Sequence, residues 1–178
     1  MRRFYQKDQR KNTFRHWAEV RKILEQDRLC DSLKGRVRYF ATRYRGAHDQ
    51  TGRVCVLVDG KEIINMPFET EIKIYAEVNR RWPGSGKSRG QLEPEVRKDF
   101  GEQGLYEAGD FKYALEEFLA SDISLSLQSE ILLVRMLAIL DRRVGKRTLL
   151  KIKPAVDQLP EWLQFFYRLR LESENLWE

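Results

Sequence analysis

Apolar positions along the chain change their period twice. Phe14, Trp17, Val20 and Leu24 fall within one third of a helical circumference. Asn12 or Thr13 stands where an N-cap belongs, so the spacing predicts a first helix ending near Arg28. Leu29, Cys30 and Leu33 leave that stripe, which calls for a separate turn closed by Gly35. Residues 36–44 are β-branched, aromatic and alternating, 54–58 are an apolar run of central-strand type, and 46–52 connect them. Asp59-Gly60 then separates that run from 62–66, a strong short-range hairpin signal. These features predict a three-stranded antiparallel meander.

After the meander the period becomes ambiguous. Ile72, Ile74, Ala76 and Val78 alternate as in a strand, whereas Phe68, Ile72, Tyr75 and Trp82 share a helical face. The helix is favoured; as a strand the segment would make the sheet four-stranded. Residues 81–104 carry five glycines and two prolines among charges and read as a long flexible loop, about 83–104. Helical spacing returns with Phe111, Ala114, Leu115 and Phe118, then with the almost wholly apolar 131–140. A short helix over 147–153 should stop at Pro154. A last one should open at Pro160 and turn Trp162, Phe165, Phe166 and Leu169 inward. The expected architecture is one α+β domain over 1–178. A small antiparallel sheet and N-terminal helix (about 12–80) are joined through the loop to a helical half (about 105–178).

Composition narrows the setting. With 178 residues, 42% hydrophobic and 34% charged, the chain can bury a core without staples and is too charged for a bilayer. The only cysteines, Cys30 and Cys55, do not make a disulfide scaffold and read as reduced core thiols. The basic, polar N-terminus lacks a signal-peptide pattern, and the longest apolar run, 131–140, is interrupted by Arg135. A soluble cytoplasmic protein without a membrane partner is expected. The net charge of +6 is uneven, because residues 1–45 hold 14 Lys/Arg against 5 Asp/Glu, leaving −3 for the remainder. That asymmetry points to an anionic partner, or to nothing beyond a solvated basic surface.

Candidate chemistry is sparse. Gly84-Ser85-Gly86-Lys87-Ser88 looks like a phosphate-binding loop, but the pattern needs a glycine where Arg81 stands and a buried strand before it. Nucleotide hydrolysis is set aside. His16 and His48 lie at no ligand spacing from a cysteine or from each other, so neither a metal nor another cofactor is expected. His48 with Asp49 could form an acid–base pair, flanked by Arg43, Arg45 and Arg53 for phosphodiester cleavage; a polar turn is the simpler reading.

The main signal is the basic, aromatic strand: Arg36, Arg38, Tyr39, Phe40, Arg43, Tyr44 and Arg45, with Arg53 across the loop. In period two, Arg36, Arg38, Phe40, Thr42 and Tyr44 share one face. Such a face can pair guanidinium groups with phosphates and stack bases, anchor a protein partner, or support a covering helix. A second basic cluster, Arg142, Arg143, Lys146 and Arg147, follows the apolar helix and complements the end of its dipole.

Leu29-Cys30-Asp31-Ser32-Leu33-Lys34-Gly35-Arg36, Thr42-Arg43-Tyr44-Arg45, His48-Asp49, Gly52-Arg53-Val54, Asp59-Gly60-Lys61-Glu62 and Leu140-Asp141-Arg142-Arg143-Val144-Gly145-Lys146-Arg147 resemble segments of a family of uncharacterised small bacterial proteins. The resemblance implies a bacterial cytoplasmic setting and brings no activity, cofactor or site. The expected function is therefore non-enzymatic binding of a protein or an anionic macromolecule through the basic strand. Nucleic acid is the first alternative and phosphodiester cleavage through His48 the second. A homodimer through a sheet edge is a further expectation.

Overall fold

The computed structural model describes residues 16–42 and 52–177. Its sheet is a meander of order β1-β2-β3: β1 is Val37–Ala41, β2 Arg53–Val58 and β3 Lys61–Pro67. Both pairings are antiparallel, with Arg38 opposite Leu57 and Phe40 opposite Cys55, then Cys55 opposite Asn65. Asp59 and Gly60 both take positive φ (50° and 81°), as a two-residue type I′ turn requires. A register shift after Val56 seats Leu57 opposite Glu62 and leaves Ile63 as the extra residue of a bulge.

One sheet face is the core. Val37, Tyr39, Val54, Val56, Val58, Ile64 and Met66 are buried there. The first helix, α1 (Trp17–Lys22, continuing as a π-helical segment over Ile23–Arg28), and α4 (Ala108–Ala120) pack against it; α6 (Leu132–Leu140) packs on α4 and α8 (Glu161–Ser173) on α6, with the short α5 (Ile123–Ser126) and α7 (Lys146–Ile152) between them in the chain. The Phe111 ring is the contact point, with centroids 6.0 Å from Tyr39 and 6.5 Å from Trp17. The first helix also closes the β1 edge, since the Tyr39 backbone N–H donates to Glu25 Oε1 at 2.8 Å. The π-helical segment ends at Leu29, and a 3-10 turn, Asp31–Leu33, closes at Gly35 (φ 80°) as the spacing implies. The capping position at Asn12 or Thr13 and the side chain of Phe14 lie outside the described residues.

Residues 69–102 are a helical hairpin with its own small core. Helix α2 (Glu69–Arg81) and helix α3 (Arg89–Glu102) bury Ile74, Val78, Leu92 and Val96 between them, with Phe100 packed alongside. Two expectations are settled here. The 71–78 segment is helix, and its strand-like alternation arises because the helix is apolar on two opposite faces.

The expected loop over 83–104 is instead largely helical. Ser88 and Gln91 form a capping box, the Ser88 N–H donating to Gln91 Oε1 at 2.8 Å, and Leu92, Val96 and Phe100 supply one buried stripe. Pro94 sits inside α3, where it supplies no N–H for the carbonyl of Gly90, and Gly90 lies exposed to solvent. The end of α3 is pinned to α8, because Trp162 Nε1 and Tyr106 Oη both donate to the Gly101 carbonyl at 2.9 Å. Two smaller differences occur beyond it. Pro154 lies inside a 3-10 turn, Lys153–Gln158, after α7 has ended, and Phe165 is exposed while Leu163 and Phe166 fill the core. Among the described residues no helix is long and apolar enough to cross a membrane.

Candidate functional site

The pleat that buries Val37 and Tyr39 turns Arg38 and Phe40 to the opposite side. Arg38 is exposed and Phe40 keeps 45% of its surface in solvent, so no helix among the described residues rests on this part of the strand. The register adds Leu57 and Cys55 from β2 and Glu62 and Asn65 from β3 to the same face. Its centre is apolar: Phe40, opposite Cys55 in the register, and half-buried Leu57 share the face with Cys55, which is fully buried although it faces away from the main core. Burial, with Glu62 adding to it, pushes the Cys55 thiol up and so disfavours the thiolate.

Charged pairs border that centre. The Arg36 guanidinium grips Asp59 with Nε–Oδ1 3.0 Å and Nη2–Oδ2 2.8 Å, and the Asp59 carboxyl is held below its ordinary range by this bond. Arg53 grips Glu62 in the same way, at 3.0 and 2.8 Å, and reaches Asn65 Oδ1 at 3.4 Å. The Arg53 N–H also donates to Thr42 Oγ1 at 3.0 Å, tying the last described residue of the β1 side to β2. Arg38 makes no ion pair among the described residues. Of the sequence-predicted set the structure thus brings together Arg36, Arg38, Phe40 and Arg53. Arg43, Tyr44, Arg45, His48 and Asp49 lie outside the described residues. The partners Asp59 and Glu62 and the apolar Leu57 and Cys55 were missed. Two-residue Asp-Gly turn geometry already places 57 opposite 62.

The start of the second basic cluster meets the chain just before the 3-10 turn. Cys30 N–H donates to the Leu140 carbonyl at 3.0 Å and Arg142 N–H to the Arg28 carbonyl at 2.7 Å, a bridge between 29 and 141. Carboxylates interleave the cations. Arg143 chelates buried Asp141, Lys34 meets Asp31 at 2.6 Å, and buried Arg170 pairs with Glu174, which Lys146 also approaches at 3.8 Å. Arg170 further donates to the Val144 carbonyl at 3.0 Å and to Ser32 Oγ at 3.3 Å. The thiol of Cys30, which contacts Ser32, is likewise pushed up by burial. Among the described residues the two clusters make no unbroken cationic surface.

A third constellation lies where α2, α3 and α4 meet. Arg97 donates to Glu71 at 2.7 Å, to Glu93 at 3.0 Å and to Asp110 at 3.0 Å, all four side chains being no more than 23% exposed. Beside it, Glu107 caps α4 by accepting the Gly109 N–H at 2.7 Å, while its own N–H donates to Asp110. Burial pushes Glu107 up to about 7. The guanidinium fills the space among the acids, and no group of three or more metal-ligating side chains occurs among the described residues. Its role is to tie the helical hairpin to the body.

With this geometry in hand, comparison with known proteins is informative about kinship alone. The chain belongs to the SF0329 protein family, whose model matches residues 16–171. No curated protein and no solved structure matches it.

Proposed function

We propose that this SF0329-family chain is a non-enzymatic binding protein that engages a protein partner across the outer face of its sheet. The observation that carries the reading is the distribution of charge: two of the three described guanidinium groups on or beside the face are already gripped by carboxylates, and they border an apolar centre of Phe40 and Leu57. A surface that tracks phosphates needs cations with free donors, because its affinity comes from counterion release. An apolar centre with a rim of satisfied polar groups is the anatomy of a protein interface, in which aromatic and arginine side chains serve as anchors. The reading uses Arg36, Arg38, Phe40 and Arg53, with Arg43, Tyr44 and Arg45 as extensions that rest on sequence.

The test begins with a photo-crosslinking amino acid at Phe40 or, as a control elsewhere on the surface, at Leu150 in cells that make the protein. A defined partner captured from Phe40 alone, then reconstituted from purified components, should bind with little salt dependence and should be lost in Phe40→Asp. An electrophoretic survey with single- and double-stranded DNA and RNA should show no binding. Salt-sensitive nucleic-acid binding abolished by Arg38→Glu with Arg45→Glu would overturn the proposal in favour of the nucleic-acid reading.

A further inference from the structure

Helix α2 has more apolar surface than its fold uses. Its inner face, Thr70, Ile74 and Val78, is buried, the last two against α3. The opposite face carries Phe68, Ile72, Tyr75 and Trp82 with 52, 60, 48 and 44% of their surface in solvent. Spaced four, three and seven residues apart, these side chains fall on one stripe, with exposed Asn79 completing an a/d pattern and exposed Ala76 beside Tyr75 at its middle. An aromatic side chain presents roughly 150–250 Å² when fully open, so the stripe exposes about 400 Å². That is as large as the biggest apolar patch of an ordinary monomer, and it is concentrated on a single helix.

We infer that this stripe is the interface of a homodimer in which α2 packs antiparallel on α2 of a second copy, with the two-fold axis near Tyr75 and Ala76. Two observations select a second copy as the occupant. The first is charge order: exposed Glu69 stands in the first turn of α2 and Arg80, 71% exposed and paired with Glu77 of the same helix, in the last, while Glu71 is held within the monomer by Arg97 and Arg81 by Glu77 and Asp99. An antiparallel pair sets each acidic end beside a basic end and opposes the helix dipoles, whereas a parallel pair would set like charges together. The stripe is therefore complementary to itself, as an isologous interface must be. The second is area: two copies of the stripe bury about 800 Å² before any rim is counted, so a rim of about 200 Å² on each copy brings the contact to the roughly 1,200 Å² at which stable interfaces begin. Ala76 at the crossing lets the helices approach closely, while the Arg89 guanidinium, 4.3 Å from the centre of the Trp82 ring, screens the outer end of the stripe. This interface is distinct from the sheet edge expected from sequence, and it does not rest on the proposal for the outer sheet face.

Sedimentation of the full chain should give a species of twice the 21.2 kDa chain mass. Ile72→Glu, at a position the monomer leaves open, should sediment as a monomer with an unchanged circular-dichroism spectrum. Tyr75→Lys gives the same test should that variant not fold. Orientation is read by disulfide crosslinking, since Cys30 and Cys55 are both buried. Tyr75→Cys should crosslink to itself. Phe68→Cys and Trp82→Cys should crosslink when mixed and much less alone. A monomer at about 100 µM would overturn the inference, whether residues 1–15 or another protein then cover the stripe, because that concentration detects even weak association. A dimer that survives Ile72→Glu, or rapid self-crosslinking of Phe68→Cys, would overturn it equally.

Discussion

Replacing Arg97 with methionine removes one cation from among three carboxylates while keeping most of its aliphatic volume. Burial works against the charge on Arg97, but Asp110 and Glu71 outweigh it and hold its pKa above the ordinary arginine value. The methionine variant leaves Glu71, Glu93 and Asp110 facing one another at no more than 23% exposure. Breaking a buried pair by deleting one partner costs about 3–5 kcal/mol, because the remaining charge is uncompensated. Taking about 4 kcal/mol, the melting temperature should fall by roughly 10 °C for a chain of this size. Urea denaturation followed by circular dichroism at pH 7 measures the loss directly.

The pH dependence supplies a second check on the cause. In Arg97→Met the folded-state carboxyl pKa values rise above their unfolded values, so the variant regains stability as pH falls toward about 4 and protons neutralise the cluster. The gap to the parent protein should narrow accordingly. Arg97→Lys should recover only part of the loss, since an ammonium group cannot present three separate donors to three acids in the fork geometry of a guanidinium. Adding Glu71→Gln and Asp110→Asn to Arg97→Met should restore much of the stability. A deficit under about 1 kcal/mol at pH 7, or one equal at pH 7 and pH 5, would refute the argument that repulsion among buried acids sets the cost.

Three further outcomes are expected. Glu107→Gln keeps an acceptor for the Gly109 N–H; because burial raises the Glu107 pKa to about 7, its contribution is full below about 4.5 and is lost as pH rises through 7. Urea melts should therefore show the variant equal to the parent at pH 5 and more stable by about 2 kcal/mol at pH 8, and equality at both would sink this reading. Gly104→Ala places a side chain at φ 75° with its Cβ 3.1 Å from the Trp162 ring, so a loss of about 2 kcal/mol is expected in the same assay, and a neutral result would show that the turn yields. Glu25→Ala leaves the Tyr39 N–H on the sheet edge without its acceptor, at a cost of about 1–2 kcal/mol, and amide exchange at Tyr39 should accelerate; unchanged exchange would mean that another group protects the edge.

What could be read from sequence was whatever rests on near neighbours. The Asp59-Gly60 turn, the alternation through Tyr39 and Phe40, and the apolar face of α4 are local, and each appears where its period puts it. Helix α3 was missed because glycine and proline counts over a long window outweighed two better signals: Ser88-x-x-Gln91 and the Leu92/Val96/Phe100 spacing. The Arg97 cluster was not legible at all, since its acids come from three helices at sequence distances up to 26 residues. At the sheet face the arginines were visible, but their neutralising partners required the hairpin register to be carried one step further. That omission made the face look more cationic than it is.

The segments that carried the family resemblance have an explanation internal to the fold. Residues 29–36 and 140–147 meet through backbone hydrogen bonds, and much of their charge is spent on Asp31, Asp141 and Glu174. A junction whose side chains already satisfy one another has little left to offer a ligand. Phe40, opposite buried Cys55, and the outer stripe of α2 have no such account: solvent exposure of those side chains contributes nothing to packing and favours association. If both proposals hold, a dimer carries two sheet faces, and a surface-immobilised partner should retain the dimer longer than its monomeric Ile72→Glu form, through effective concentration alone. Equal retention of the two forms, with the α2 dimer intact, would mean that the geometry prevents both faces from binding at once.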